Sequence, residues 1–145
     1  MTLSDFFSPI DPEKFAPQNG FLTSQLGIKV EFFNESFPDL EEKKFDLAII
    51  GVKDDRGAVN NNGCSLGPDY FREQFYVLNE GQFSSRIVDL GNILAGQEVS
   101  DTYFALKSVV TELVKLDIVP VIIGGGQDLT YAQYMGYEDL EQKVD

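Results

Sequence analysis

The chain has 145 residues, enough for one domain with a real core, and its 43% apolar content argues against disorder. With 24 acidic against 11 basic residues the formal net charge is −13, which weighs against nucleic acid and anionic membrane surfaces as partners. There is no histidine, so no Ser-His-Asp or Cys-His machinery and no His-ligated zinc or manganese can arise within the chain.

No apolar run approaches the ~20 residues of a membrane span, and the opening M-T-L-S-D-F-F lacks the basic start of a secretion signal. The single cysteine, Cys64, excludes an intrachain disulfide and fits a reducing compartment. The location expected on these grounds is cytoplasmic.

Residues 1–20 carry Pro9, Pro12, Pro17 and Gly20. They read as an irregular arm with a helical turn near residues 4–7, pinned by Phe6, Phe7 and Phe15. Ile28, Val30 and Phe32 alternate with Lys29 and Glu31, the period-two signature of a short peripheral strand. Residues 34–44, ending E-E-K-K, read as a solvated loop. The run F-D-L-A-I-I-G-V at 45–52 predicts the first buried strand. A long loop, 53–67, follows, with D-D-R-G and N-N-N-G. Pro68 opens a helix running to about Leu78, with Phe71, Phe75 and Leu78 on its core face.

Residues 84–90 predict the second strand, closed by Gly91 and Asn92. Ser100 or Asp101 caps a long helix to about Leu116, with Tyr103, Leu106, Val110, Leu113 and Val114 as its buried stripe. Residues 119–123 are the third strand. Three glycines, 124–126, then allow a tight turn, and Asp128 can cap a last helix from Leu129 to about Glu141. Lys143, Val144 and Asp145 read as the start of another strand. Strands alternating with helices predict a single α/β domain over 1–145, with helices on both faces of a mainly parallel sheet.

Three segments fall at strand ends and converge on one rim of such a sheet: G-V-K-D-D-R-G-A-V-N-N-N-G-C-S-L-G-P-D-Y-F-R, D-L-G-N-I, and I-G-G-G-Q-D-L-T-Y. Together they resemble the ureohydrolase superfamily of arginase, agmatinase and formimidoylglutamase, over about residues 45–135. That resemblance implies a three-layer α-β-α fold, of which this chain is the amino-terminal half. It also implies a parent C–N hydrolase acting on a guanidino or formimino compound. The family uses manganese, and Gln127 stands where it has its first metal-binding histidine. A carboxamide oxygen is a weaker ligand than imidazole. The remaining Asp and His ligand motifs would follow Asp145.

The chain is therefore expected to hold no metal and to be inactive by itself. The rival reading is a non-catalytic relative that keeps the fold for binding or assembly. Rim candidates for substrate contact are Asp54, Asn60, Asn62, Gly125, Gly126 and Asp128, with a solvated loop as the simpler reading of Asp54 and Asp55. Asp89 is expected to tie its strand end to a neighbouring loop, and Arg72 to pair with a local carboxylate. Cys64 reads as inert. The strand at 119–123 would lie at the sheet edge, apolar and free of charge, so self-association is expected.

Overall fold

The computed structural model describes residues 1–140. Its centre is a five-stranded sheet: β1 (Phe7–Ser8), β2 (Glu31–Phe32), β3 (Leu47–Val52), β4 (Ile87–Ile93) and β5 (Val119–Gly124). The main path runs β1-β4-β3-β5, with β2 also paired to β4. Right-handed crossovers and the family resemblance imply the order second, first, third for the three long strands, and the parallel order β4-β3-β5 is that one. β1 alone runs antiparallel, so the arm contributes a strand that its breakers concealed.

Helices α2 (Gly67–Phe75), α3 (Val99–Lys115) and α4 (Leu129–Glu138) complete the two outer layers, beside a single turn, α1 (Leu26–Lys29). On one face of the sheet Ala48, Ile50, Val52, Val88 and Leu90 pack against Leu106, Val109, Val110 and Leu113 of α3 and Leu129 of α4. On the other, Ile49 meets Ile10, Phe15, Val30 and Tyr76, with Phe71, Phe75, Val121 and Ile123 alongside. Alternate residues of one strand thus serve opposite layers, which is why no polar alternation is visible in the sequence.

Several boundaries differ from the expectation, each for a local reason. Ile28 lies in α1 rather than in a strand, and only Glu31 and Phe32 pair with β4. α2 ends at Phe75, which leaves Leu78 outside the helix and exposed. The long helix starts earlier, behind Glu98, whose side chain and that of Asp101 form a reciprocal capping box. That start fixes the buried stripe as Thr102, Ala105, Leu106, Val109, Val110 and Leu113, with Tyr103 and Val114 only half-buried. The strand expected at residues 143–145 lies outside the described residues.

The second strand does not stop at Gly91. Asp89 pairs with Ile49, but Asn92 pairs with Gly51, so two residues of β4 oppose one of β3 in a bulge. Gly91 takes φ +82°, a left-handed conformation only glycine adopts cheaply, and the strand resumes to Ile93.

The bulge serves a buried ion pair. Arg72, on the sheet side of α2, is fully buried, as are Asp89 and Tyr76. Its Nε and Nη2 donate to the two Asp89 oxygens at 2.8 and 2.9 Å. Nη2 also reaches the Gly91 carbonyl at 3.0 Å, and Nη1 the Asn92 Oδ1 at 2.7 Å. The Tyr76 hydroxyl and the Gly91 N–H donate to Asp89 at 2.5 and 2.9 Å. Burial, then the Asp89 charge, push the Tyr76 phenol far up, so it stays a donor. Arg72 does pair with a local carboxylate. Asp89 is structural too, but it fastens α2 to the sheet rather than to a loop.

β5 is the terminal strand among the described residues. The Val119 and Gly125 N–H groups point to β3, bonding Asp46 and Val52 carbonyls at 2.9 and 3.2 Å. By alternation the amide positions of Pro120, Ile122 and Gly124 point away from β3, and Pro120 has no N–H to offer. The edge therefore carries a protective device other than charge.

Candidate functional site at the carboxyl rim of the sheet

β3 and β5 end side by side, and the segments leaving them interlock. The Gly125 N–H bonds the Val52 carbonyl, and the Gly126 N–H bonds the Asp54 carbonyl at 3.1 Å. A methyl group on Gly125 would stand 2.8 Å from the Val52 oxygen and 3.1 Å from the Asp54 carbonyl carbon. The absence of a side chain is thus required for contact, since φ at Gly125 is not positive.

Asp54 is buried rather than solvated, contrary to the simpler reading. Its Oδ1 accepts from Arg56 Nε at 2.9 Å, and its Oδ2 from Arg56 Nη2 at 2.7 Å and Thr102 Oγ1 at 2.8 Å. Arg56 continues to the Gly96 and Gln97 carbonyls at 2.9 and 2.7 Å. One arginine therefore laces the loop after β3 to the segment that leads into α3.

The Arg56 hydrogen bonds hold the Asp54 carboxyl down to about 2, against the burial that opposes them. Because the folded value lies below the unfolded one, this stabilisation is complete above about pH 4. It is lost as pH falls toward 2. A shift of this size corresponds to roughly 2 kcal/mol. We expect acid titration of the wild type to show a loss of that order between pH 4 and 2. In Asp54→Asn the step should be missing; the same step in both proteins would remove Asp54 as its source.

Asp128 does not cap its helix. Its own backbone is already helical, at φ −57° and ψ −25°, and no capping bond forms. The carboxylate instead reaches sideways to accept from the Tyr103 hydroxyl. This bond, more than burial, pushes the Tyr103 phenol up to about 12. The other oxygen, Oδ1, is buried without a hydrogen-bond partner among the described residues. Substitution of Gly57 or Gly126 would put a methyl against this carboxylate.

The expected rim residues thus divide. Asp54, Gly125, Gly126 and Asp128 converge, and Asp55 holds the loop by accepting from the Gly63 N–H at 2.9 Å. Asn60, Asn62 and Gln127 are exposed on the outer side, Asn60 at φ +57°. Sequence reasoning missed Arg56, Thr102 and Tyr103 as members. The Asp-Asp-Arg spacing was the available signal for Arg56. Thr102 and Tyr103 come from α3, far away in the chain, and carried none.

Chemically, the rim is a set of mutually bonded donors and acceptors, with Asp128 Oδ1 the one buried side-chain oxygen left without a partner among the described residues. Asp54 stays ionised and Tyr103 protonated across the neutral range, so neither is poised to exchange a proton there. The donor set does not suit a pair of divalent cations. Asp54 is taken by Arg56 and Thr102, Asp128 by Tyr103, and Gln127 offers one carboxamide. No group of three or more Asp, Glu or Cys that could hold a metal ion occurs among the described residues.

A profile of the arginase family matches residues 45–144, more than half of the chain. The formimidoylglutamase of Macrococcus caseolyticus is 32% identical over 111 residues, 70% of this chain and 34% of that protein. The formimidoylglutamase of Photorhabdus laumondii is 29% identical over 103 residues, 68% of this chain and 32% of that protein. Among solved structures, the agmatine ureohydrolase of Thermoplasma volcanium superposes with TM-score 0.61 at 19% identity, over 80% of this chain and 39% of that one. Trypanosoma cruzi formiminoglutamase with Mn2+ gives TM-score 0.58 at 23% identity, over 71% and 38%. At these identities the solved structures speak for the fold. The chain spans about a third of the length of these curated relatives.

Proposed function

The chain belongs to the arginase family, and from that membership we propose that it is the amino-terminal portion of a formimidoylglutamase-like hydrolase. The bond broken in the whole protein would be the C–N bond of a formimino or guanidino compound. The observation that carries this reading is the similarity to formimidoylglutamases, together with an arginase-family match over residues 45–144 that includes the strand ends making the rim. The rim turn of residues 124–128 is where a ligand of the whole protein would approach.

Among the described residues no group of three or more metal-ligating side chains gathers to hold a manganese pair. We infer that the isolated chain does not hydrolyse formiminoglutamate, agmatine or arginine. Gln127→His alone should leave it inactive, since one imidazole cannot hold two ions. Metal-dependent release of formamide or urea above background from either protein would refute this.

The second reading is a non-catalytic relative. The exposed carboxamide of Gln127 supports it, because a strong ligand is replaced by a weak one at the rim. Sequencing the locus past the codon for Asp145 separates the two. An in-frame Asp-x-His-x-Asp and Asp-x-Asp would support the hydrolase, and substituted motifs the non-catalytic protein.

Self-association belongs to the same proposal, with β5 as the contact. The −13 charge opposes it, but repulsion is screened beyond ~8 Å at physiological salt. Pro120→Val restores an outward donor and should raise the scattering-derived mass at a given concentration. A strict monomer for both proteins at high concentration would end this idea. The same charge supports the absence of nucleic acid or anionic membrane partners.

A further inference from the structure

At the opposite end of the sheet from the rim, a cavity of about 820 Å³ opens below the carboxyl end of α2. This is within the usual size of small-molecule sites. Leu26, Val30, Phe45, Leu47, Phe75 and Ile87 line its apolar interior, and Val30 and Phe45 are buried. Three cations, Lys29, Lys43 and Arg86, and two carboxylates, Glu31 and Glu80, also line it. Lys29 is paired with Glu80 at 3.5 Å and Lys43 with Glu31 at 2.5 Å, which uses both acids.

Arg86 has no ion pair among the described residues. Its guanidinium lies over the Phe45 ring, 5.3 Å from the centroid. Asp46 is near in space but does not line the cavity, and its carboxylate accepts from the Arg86 backbone N–H at 2.7 Å. Carbonyls at the end of α2 would repel an anion if they were free, and they are not. Gly27 N–H bonds Tyr76 at 3.0 Å, Leu26 N–H bonds Leu78 at 2.9 Å, and Gln25 Nε2 bonds Val77 at 3.0 Å. The charge left over in this cavity is one guanidinium held against an aromatic face. The other large groove, between the amino-terminal arm and α3, has two lysines against Asp39, Glu41, Glu112 and Asp139.

We propose that this cavity is a binding site for a small amphipathic monocarboxylate. An aromatic or branched aliphatic body would fill the apolar interior, and the carboxylate would take the two parallel N–H groups of Arg86. One guanidinium balances one carboxylate. A phosphate dianion would meet Glu31 and Glu80 with its second charge uncompensated.

The test uses the ¹⁵N-labelled chain titrated with 4-phenylbutyrate and with 4-phenylbutan-1-ol, which lacks the charge. Amides of residues 26–30, 45–47 and 85–87 should shift with the acid, and the alcohol should bind at least tenfold more weakly. Arg86→Gln should cost the acid at least tenfold and leave the alcohol unchanged. Ser85→Trp, at an exposed position of the lining, should block both while the rest of the spectrum is preserved. Equal binding of acid and alcohol would overturn the proposal. So would acid-induced shifts confined to the rim, wild-type titration of Ser85→Trp, or no binding at millimolar probe. None of these outcomes depends on whether the whole protein is a hydrolase.

Discussion

Arg72→Met will destabilise the chain by about 3–5 kcal/mol, the usual cost of stranding one member of a buried ion pair. The Asp89 carboxylate would stay fully buried with only the Tyr76 hydroxyl and the Gly91 N–H as donors. Two further acceptors, the Gly91 carbonyl and Asn92 Oδ1, would lose their partner. Against a typical total of ~5–15 kcal/mol the loss is a large fraction. In urea the midpoint should fall by roughly 2 M. Arg72→Met combined with Asp89→Leu should recover part of the loss, because the orphaned charge is gone even though Tyr76 then lacks its acceptor. A single variant within 1 kcal/mol of the wild type would mean that the pair is not desolvated in solution.

Gly125→Ala will cost about 2–3 kcal/mol, as overpacking against fixed atoms does. The atoms its methyl would meet are the Val52 and Asp54 carbonyls, which are backbone and cannot rotate away. Relief requires breaking the Gly125 and Gly126 hydrogen bonds that clasp the β3 loop to the turn after β5. Hydrogen exchange should therefore quicken at residues 53–58 and 125–128, with the helix α3 core unchanged. Wild-type stability together with wild-type protection at the rim would show that the turn accommodates a methyl group without opening the clasp.

What could be read from the residues was whatever depended on burial of contiguous apolar runs. The strands at Leu47–Val52 and Val119–Gly124 and the rim where they end follow from β-branched runs punctuated by glycine, and their order with β4 from right-handed crossovers and the family resemblance. What escaped depended on which polar atom meets which. Gly91 and Asn92 looked like a strand terminus, because a bulge and a stop use the same residues. Asp54 looked solvated because Arg56, two residues on, and Thr102, in a distant helix, are what allow it to be buried. Asp128 stands one residue before Leu129, where a cap belongs, yet its helical φ and ψ turn the carboxylate toward Tyr103. Pro120 protects its edge by lacking a donor, which a count of charges along the strand does not register.

The central position of β3 has a consequence for synthesis. Its partners come later in the chain: Leu47 pairs with Ile87 on one side and with Val119 on the other. Closing the longer loop costs only about 0.5 kcal/mol more than the shorter, by the logarithmic dependence on length. Chain entropy therefore does little to delay the second pairing, and the order of emergence from the ribosome decides. β4 is finished at Ile93 and β5 at Gly124. At translation rates of about 5–20 residues per second, β3 stands with one edge open for roughly 2 to 6 s. For the first part of that interval, until α3 is finished at Lys115, Ala48, Ile50 and Val52 also lack the helix that later covers them. A nascent chain paused there presents an apolar strand with a free edge, the form of surface that holding chaperones and other nascent chains capture first.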